Sequence, residues 1–530
     1  MKSDSIQRDW LAGIVAGISL SLTPFVVFIR HQGYLIIRPE ILICFTALIV
    51  LGLVFGLLME SGGRFSRAPV FASLIAVTFD IQLTDPNPAL LWVVFGATLV
   101  AGWFIRGRFL RITAVILAVM LGASFVSPAS QKGVRTRNIP EATDKDESLP
   151  VFLHLILDEH IGVEGIPKEF DRDGYHAENL RDAYVDRGFR VFGRAYSQYY
   201  NTWVSLPHIF NFDHTAGTEY ATKRTRKGTK GFRVTKNRYL NRMRKKGYRI
   251  HVYQTEFLGY CGEKGVPIAS CYTYGLETLS SIERSGMSTG DKLRMILGVY
   301  SRLSKIMVDL RVPPVRLSSL SAMGVLGSLR DDLLNATPGD MFLVHLMLPH
   351  YPYAYDEDCT MRGDPWSWLY SYDPDMEPLK NDLKSRAERY PPYLDQVACT
   401  TKRFGQMFDA LDEAELFEDM TILIHSDHGS RISLRVPHLE AAGSRLREED
   451  TIDCFSTLFA VKAPGITPGY DRRLLPLGPL FEQFVKHGRV PPKTEWAGEQ
   501  QVYFKRSDDP SVIHPMPEFR RRLSPHTPER

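Results

Sequence analysis

The chain has 530 residues, which is long for a single domain, and 44% of its residues are hydrophobic. Its 64 Lys and Arg and 60 Asp and Glu leave a formal net charge of +4 at pH 7. A net charge this small neither indicates nor excludes nucleic-acid binding. We expect no nucleic-acid partner. The overall composition hides a division near Val126, because apolar runs dominate before it and a mixed α/β pattern follows.

Apolar runs before this division predict about five transmembrane helices. No cleavage site with a polar mature start follows the first run, so we expect an anchor and not a removed signal peptide. The third run is short, and a re-entrant segment or a buried helix is the alternative for it. The runs span residues 10–29, 41–59, 69–83, 88–105 and 110–126.

Basic residues predict how these helices are oriented. They precede the first run and lie after the second and the fourth, in segments that share one side of a five-span arrangement. The positive-inside rule makes that side cytoplasmic, although Arg30 and Arg38 in the first outer loop dissent. We therefore expect a multi-pass protein of the inner (plasma) membrane whose globular part is periplasmic or extracellular. The basic residues are Lys2, Arg8, Arg64, Arg67, Arg106, Arg108 and Arg111.

The six cysteines are compatible with that location. Cys261 and Cys271 lie in one loop-like segment and could form a short disulfide in an oxidising compartment. Reduced core thiols are the alternative. The other cysteines, of which the first lies in an apolar run, are Cys44, Cys359, Cys399 and Cys454.

Composition divides the chain into four parts. Residues 1–126 are the predicted transmembrane helical domain, and residues 127–150, which are polar and aperiodic, are a linker. Residues 151–470 have the pattern of an α/β domain. Residues 471–530, rich in Pro and Arg, are a carboxy-terminal extension that packs on the domain or trails it.

Two apolar runs in the α/β part predict buried strands that end in polar residues. VFLHLIL at 151–157 precedes Asp158 and Glu159. MFLVHLML at 341–348 precedes His350, in a loop stiffened by prolines. The structural alternative for His350 is an ordinary loop histidine, and for His345, inside the run, we prefer that structural interpretation.

Other patterns complete the predicted elements. Helical spacing occurs at 177–187, 276–311 and 393–411, and 455–462 has the pattern of an outer strand. Residues 223–249 are strongly basic, which is typical of a solvated helix face, although anionic lipid head groups are an alternative partner.

A hydroxyl candidate lies in QYYNTWVSLPHIFNF at 198–212. Thr202 precedes residues that could begin a helix, where backbone N–H groups and the helix dipole favour phosphate. The alternative is that Thr202 or Ser205 only caps the helix.

The stretch TILIHSDHGS at 421–430 combines a short apolar strand with a polar, glycine-terminated loop. Open α/β sheets keep their ligands at such strand ends. The adjacent carboxylate of Asp427 and imidazole of His428 can both face one divalent cation. A solvated loop with an ordinary Asp-His pair is the alternative.

Four of these motifs together resemble the alkaline phosphatase and sulfatase superfamily. The likeness is greatest to its membrane-anchored phosphotransferases, the lipid A phosphoethanolamine transferases and lipoteichoic acid synthases. The resemblance implies an α/β fold, with an amino-terminal bundle of about five transmembrane helices and an alkaline phosphatase-like α/β/α sandwich around a mostly parallel central sheet. The motifs are LDE at 157–159, NTWVSLPHIF at 201–210, LPHYPY at 348–353 and HSDHG at 425–429.

The resemblance also implies a metal site. Matched position by position, Thr202 is the nucleophile and a metal ligand, and the other ligands are Asp158, Asp427 and His428. The ion is usually zinc or manganese, with calcium as the alternative. The acidic doublet is closer to that of sulfatases, so Glu159 is a further candidate ligand.

Two histidines match substrate contacts in these enzymes. His350 corresponds to a contact with the substrate phosphate, where it could steady developing charge or protonate the leaving group. His438, ten residues after His428, is a weaker candidate for another substrate contact.

The implied function is a membrane-bound, metal-dependent phosphotransferase with a phospho-threonine intermediate. It would move a phospho-alcohol group, of the phosphoethanolamine or phosphoglycerol type, from a phospholipid donor to an envelope lipid or glycan. One alternative is a sulfatase-like hydrolase of sulfate or phosphate esters, but Ile209 stands where the sulfatase motif that would begin at Ser205 needs Arg. Another alternative is an inactive sulfatase-fold sensor or scaffold.

Overall fold

The computed structural model describes most of the chain in eighteen segments. They are residues 2–61, 64–82, 88–104, 107–126, 134–136, 145–215, 220–226, 229–261, 268–275, 279–283, 287–301, 317–363, 382–434, 447–491, 500–506, 509–519, 521 and 523.

Helices occur throughout the described residues. They are α1 (Lys2–His31), α2 (Pro39–Ser61), α3 (Arg64–Gln82), α4 (Pro88–Phe104), α5 (Gly107–Val126), α6 (Tyr175–Val185), α7 (Thr202–Asn211), α8 (Arg238–Lys245), α9 (Ser280–Glu283), α10 (Thr289–Ser301), α11 (Ser318–Leu334), α12 (Leu383–Glu413), α13 (Glu448–Phe455) and α14 (Leu477–His487). A short 3₁₀ helix spans Val163–Gly165.

Within the described ranges, the first strand follows α5. They are β1 (Val134–Thr136), β2 (Phe152–Asp158), β3 (Arg190–Tyr196), β4 (Ala221–Arg226), β5 (Thr229–Val234), β6 (Arg249–Thr255), β7 (Leu258–Gly259), β8 (Ser270–Tyr274), β9 (Asp340–Pro349), β10 (Thr421–Ser426), β11 (Phe459–Lys462), β12 (Gly469–Pro476), β13 (Gln501–Arg506) and β14 (Asp509–Pro515).

The chain forms two compact units. We call the first the apolar unit; it comprises Met1–Lys132, Arg226–Thr229 and Thr278–Val315. We call the second the globular unit; it comprises Gly133–Thr225, Lys230–Glu277 and Arg316–Arg530.

Two helices of the apolar unit, α1 and α2, contain stretches long and apolar enough to cross a membrane. These stretches are Trp10–His31 and Pro39–Leu58. The apolar stretches of α3, α4 and α5 are shorter, so among the described residues two helices meet the length and hydropathy of a span, against the five expected.

Glycines let α1 and α2 approach each other closely. A Cβ built on Gly17 would lie 2.3 Å from the carbonyl oxygen of Gly52, and one on Gly56 would lie 2.6 Å from the Cα of Ile14. Glycines four residues apart on apolar helices form such contacts, because backbones pack without intervening side chains.

The apolar unit also includes α9 and α10, which lie between two strands of the globular unit in sequence. Arg38 donates from Nε and Nη2 to Oε1 of Glu283 at 2.9 and 2.8 Å. The ring of Tyr300 packs on Phe25 and Phe28, with both centroid distances 5.2 Å. The charge of Arg38, which dissents from the positive-inside pattern, is therefore paired with a carboxylate.

The globular unit is built on a nine-stranded sheet in the order β1-β8-β6-β9-β2-β10-β11-β3-β12. Strands β8, β6, β9, β2 and β10 are parallel to one another. Strand β11 is antiparallel to both of its neighbours, and β1 is antiparallel to β8. The mostly parallel central sheet expected from the sequence is confirmed.

Both faces of the sheet are covered by helices, because the side chains of its central strands alternate between two cores. One core combines Leu153 and Leu155 of β2 with Leu180 of α6, Leu326 of α11 and Phe404 of α12. The other combines Phe152 and Ile156 of β2 with Phe210 of α7, Leu240 of α8 and Phe481 of α14. The α/β/α sandwich is confirmed.

Three expected boundaries differ from the structure. The expected linker contains β1, which pairs with β8 at the sheet edge. The division expected at residue 470 falls inside β12, which pairs with β3. The strand expected at 455–462 occurs at Phe459–Lys462 as β11, because Phe455 still ends α13. Its expected outer position is wrong, since β11 lies inside the sheet between β10 and β3. Tertiary pairing, which the local pattern does not record, decides each case.

Part of the basic segment has a structural role. Arg242 donates from Nη2 to the carbonyl of Lys486 at 3.1 Å, and Lys246 donates from Nζ to the carbonyl of Val485 at 2.9 Å. These cations therefore satisfy the last carbonyls of α14 and complement its dipole.

Two disulfides lie in the globular unit. Cys261 is bonded to Cys271, as expected, and Cys359 is bonded to Cys399. Cys44 and Cys454 are free and buried. Disulfides persist in oxidising compartments, so the pairing agrees with a globular unit outside the cytoplasm.

Candidate metal centre

The site lies where the carboxyl ends of β9, β2 and β10 meet. Strand β2 is parallel to both neighbours, so Asp158, His350 and Asp427 follow strands that end at one edge of the sheet. Helix α7, which follows β3, begins at Thr202. Asp158, Asp427 and His428 are buried and offer ligand atoms that all lie within 4.8 Å of one another.

Backbone hydrogen bonds orient the carboxylate of Asp427. Its Oδ1 accepts from the N–H of His428 at 2.8 Å and from the N–H of Glu159 at 3.2 Å. Its Oδ2 is buried and has no hydrogen-bond partner among the described residues, and Nε2 of His428 lies 3.1 Å away. One oxygen is therefore used by the loop, and the other faces the site.

The imidazole of His428 is oriented in the same manner. Its Nδ1 lies 3.0 Å from the carbonyl oxygen of Gly429, which can only accept, so Nδ1 carries the proton and Nε2 offers a lone pair. Oγ1 of Thr202 lies 3.3 Å from this Nε2 and 3.3 Å from Oδ2 of Asp158. Two carboxylates, an imidazole and a hydroxyl thus surround one space, which is a donor set that fits a divalent cation.

The electrostatics of this space also fit a cation. Burial raises the pKa of Asp158 well above its ordinary value, and the charge of Asp427 raises it further. Burial likewise raises the pKa of Asp427. Burial lowers the pKa of His428 to about 3, so the imidazole is neutral at pH 7. Two buried carboxylates repel each other until a cation lies between them.

A second group of acidic and imidazole side chains adjoins the first. Asp158, Glu159 and His350 offer ligand atoms within 4.8 Å of one another, and all three are buried. Oε1 of Glu159 accepts from Nε of Arg431 at 2.9 Å and also from its Nη2. Nε2 of His350 lies 3.7 Å from the same oxygen. Burial would raise the pKa of Glu159, but His350 and Arg431 together lower it.

Arg431 and His345 are site residues that the motifs did not single out. Arg431 lies only three residues after His428, so proximity to the motif was a usable signal. The sequence favours a structural role for His345, and its Nε2 lies 3.4 Å from Oδ2 of Asp158. The sequence feature that could have indicated His345 is its position inside an otherwise apolar central strand. Burial lowers the pKa of His345 to about 4.

Side chains of helix α12 form hydrogen bonds to the segments that follow β9 and β2. Gln396 donates from Nε2 to the carbonyl of Pro349 at 2.9 Å, and its Oε1 accepts from the N–H of Ala354 at 2.8 Å. The hydroxyl of Tyr393 donates to the carbonyl of Glu159 at 2.7 Å. These buried contacts fix the segments that carry His350 and Glu159.

The capping alternative does not describe α7. Asn201 is the N-cap residue and Thr202 is the first helical residue. Ser205 donates from Oγ to the carbonyl of Asp427 at 2.6 Å, which ties α7 to the loop after β10. His438 lies outside the described residues.

Comparisons with known proteins give matches of fold. No family model matches the chain, and no curated protein matches it significantly. Similar solved structures include the phosphonate monoester hydrolase SpPMH from Silicibacter pomeroyi, with 15% identity, a TM-score of 0.41 and coverage of 68% of this chain and 81% of that chain. The zinc complex of the C-terminal periplasmic domain of EcEptC from Escherichia coli has 11% identity, a TM-score of 0.40 and coverage of 71% and 96%.

A third similar structure is a protein in the alkaline phosphatase superfamily from Vibrio parahaemolyticus, with 11% identity, a TM-score of 0.36 and coverage of 70% and 79%. Sulfatases are also among the matches. At these identities and TM-scores the likeness assigns neither a family to the chain nor a role to any residue.

Proposed function

We propose that the chain is a membrane-bound, metal-dependent phosphotransferase that uses Thr202 as its nucleophile. The observation that carries the proposal is the position of this hydroxyl. Oγ1 of Thr202 lies 3.3 Å from Oδ2 of Asp158 and 3.3 Å from Nε2 of His428, at the amino-terminal end of α7.

The proposed ligands are Asp158, Asp427, His428 and Thr202, and zinc or manganese is the proposed ion, with calcium as the alternative. A bound divalent cation lowers the pKa of a coordinated hydroxyl and draws charge from a phosphoryl oxygen. The N–H groups and dipole of α7 favour the negative charge of the phosphoryl group beside Thr202. The four ligands thus supply both the nucleophile and its activation.

In the proposed reaction Oγ1 of Thr202 attacks the phosphorus of the donor and releases its proton to solvent, while the bond from phosphorus to the donor alcohol breaks in line. In this proposal His350 contacts the phosphate and protonates the leaving oxygen. The hydroxyl of the acceptor then attacks the phospho-Thr202 intermediate and releases the threonine hydroxyl. With water in the place of the acceptor, the same steps make a hydrolase.

The proposed donor is a phospholipid, and the acceptor is an envelope lipid or glycan. The group moved is of the phosphoethanolamine or phosphoglycerol type. The two long apolar helices and the two disulfides support a membrane-anchored enzyme with an outward-facing globular unit. A five-span topology in the inner membrane, with a periplasmic or extracellular catalytic domain, is part of this proposal.

Mass spectrometry of the full-length protein tests the nucleophile. After incubation with phospholipid we expect a phospho-alcohol adduct on Thr202, and Thr202→Ala should lose both this adduct and turnover, by on the order of 10³-fold or more. Metal content should persist in Thr202→Ala, because Asp158, Asp427 and His428 remain. The matched variant Thr202→Ser keeps a hydroxyl and should keep a detectable adduct.

Full activity in Thr202→Ala would refute the nucleophile assignment. A modified Ser205 without an adduct on Thr202 would favour the sulfatase-like hydrolase. A folded protein that binds no zinc, manganese or calcium would favour the inactive scaffold.

A further inference from the structure

Glu159 and Arg431 share an uncommon backbone conformation. Their φ angles are 63° and 55°, in the left-handed region that residues other than glycine rarely adopt. Glu159 directly follows β2, and Arg431 lies in the segment after β10. Both strained positions turn their side chains toward each other, so the ion pair is a feature that the surrounding fold maintains.

The ion pair lies where a second cation could otherwise bind. Asp158, Glu159 and His350 have the spacing of a metal site. However, Oε1 of Glu159 already accepts two N–H groups of Arg431. A guanidinium stays charged at every relevant pH, so it supplies a permanent positive charge there and repels a second ion.

Arg431 also lies beside the proposed ligands of the first ion. Its Nε and Nη2 donate to Oε1 of Glu159, the residue next to Asp158, and Glu159 and Asp158 offer carboxylate oxygens within 4.8 Å of each other. This position brings the guanidinium close to a phosphoryl group bound at Asp158. Guanidinium groups bind phosphate oxygens with parallel N–H donors in a fixed geometry, which a lysine cannot reproduce.

We propose that Arg431, oriented by Glu159, takes the place of a second metal ion and binds a non-bridging oxygen of the phosphoryl group. The centre then holds one divalent cation per chain, and Glu159 is a positioning residue for Arg431 and not a ligand. This inference rests on the proposed phosphoryl transfer, and it names how the phosphate is recognised.

Metal content tests the proposal that the centre holds one divalent cation per chain. The full-length protein is loaded with zinc, freed of excess ion and analysed by mass spectrometry of the metal. We expect one zinc per chain in the wild type and also in Glu159→Gln. Two ions in the wild type, with one lost in Glu159→Gln, would overturn the proposal, because Glu159 would then be a ligand.

Binding of inorganic phosphate to the zinc-loaded protein tests the second half, by calorimetry. A charged hydrogen bond corresponds to about 10–100-fold in affinity, so Arg431→Ala should weaken phosphate binding by about that factor. Arg431→Lys keeps the positive charge but lacks the forked pair of N–H donors. Its affinity for phosphate should lie between those of the wild type and Arg431→Ala. Arg330→Ala is the matched control, since Arg330 is half-exposed on α11 and pairs with Asp331.

Equal phosphate affinity in the wild type, Arg431→Lys and Arg431→Ala would overturn the proposal. If Arg431→Ala fails to fold, Arg431→Lys is the deciding variant. Wild-type phosphate affinity in Arg431→Lys would show that binding does not depend on a guanidinium, and it would overturn the proposal. Neither measurement requires turnover. A missing Thr202 adduct would therefore refute the phosphotransferase while leaving the role of Arg431 to be judged separately.

Discussion

Asp427 shows how one side chain serves both the loop and the site. Its Oδ1 accepts two backbone N–H groups, whereas its Oδ2 is left buried beside Nε2 of His428. The loop thereby fixes the direction of the unshared oxygen before any ligand binds. The raised pKa of Asp427 and of Asp158 follows from the same burial.

These raised pKa values predict pH-dependent metal binding. Because their pKa values are raised, Asp158 and Asp427 in the free site take up protons at a higher pH than ordinary carboxyls do. A cation must displace these protons, so zinc affinity should rise with pH. Each displaced proton contributes about tenfold per pH unit while the carboxyl is protonated. His428, with its pKa lowered to about 3, adds nothing above pH 5. Chelator competition at pH 6 and pH 8 measures the difference.

The matched variant for this titration is Asp427→Asn, which removes one of the two carboxyls. It should bind zinc more weakly at both pH values and show a shallower dependence on pH. An affinity that does not change between pH 6 and pH 8 in the wild type would contradict the prediction.

At the scale of elements, backbone contacts without side chains decide how α1 and α2 pack. Gly17, Gly52 and Gly56 occupy the contact, and any Cβ there would meet backbone atoms of the other helix at less than 3 Å. Backbone atoms cannot rotate away as a flexible side chain can. The helix pair must therefore separate if one of these residues becomes larger.

Gly52→Val should destabilise the apolar unit by about 1–3 kcal/mol, because the added side chain overpacks the contact between α1 and α2. Thermal unfolding of the detergent-solubilised protein measures this loss. Gly122→Val in α5 is the control, since a Cβ at Gly122 meets nothing within 4 Å. Equal melting temperatures for the two variants would be evidence against the close packing.

At the scale of the molecule, the disulfides bear on the compartment proposed for the globular unit. Both bonds lie in the globular unit, and the apolar unit has only the buried thiol of Cys44 among its described residues. A cytosolic globular unit would keep these thiols reduced. The bonds and the basic residues of the predicted inner loops are both consistent with the proposed outward-facing globular unit.

Thiol counting tests this state of the whole molecule. In protein denatured without a reductant, an alkylating reagent should modify two cysteines, Cys44 and Cys454. After reduction it should modify all six. Six modified cysteines before reduction, in protein isolated from its native membrane with thiols trapped at lysis, would contradict an oxidising compartment.

Much of the architecture was predictable because it depends on local pattern. The continuous apolar runs of β2 and β9 indicate strands buried on both faces, and they occur where expected. The Asp-His pair after β10 was recognisable because its strand and loop are adjacent in sequence. The disulfide between Cys261 and Cys271 was one of two alternatives that the sequence left open, since only ten residues separate its cysteines.

The sequence by itself thus determined the apolar helices before Val126, the buried strands and the polar motifs that end them, because each is a short-range pattern of hydrophobicity and turn residues. It did not show that Thr278–Val315 belongs to the apolar unit. Only the tertiary structure decided the strand order that makes Asp158 and Asp427 neighbours, the pairing of Cys359 with Cys399 and the ion pair between Glu159 and Arg431. Those contacts join residues far apart in the chain, and their energies depend on packing and burial that no local window contains.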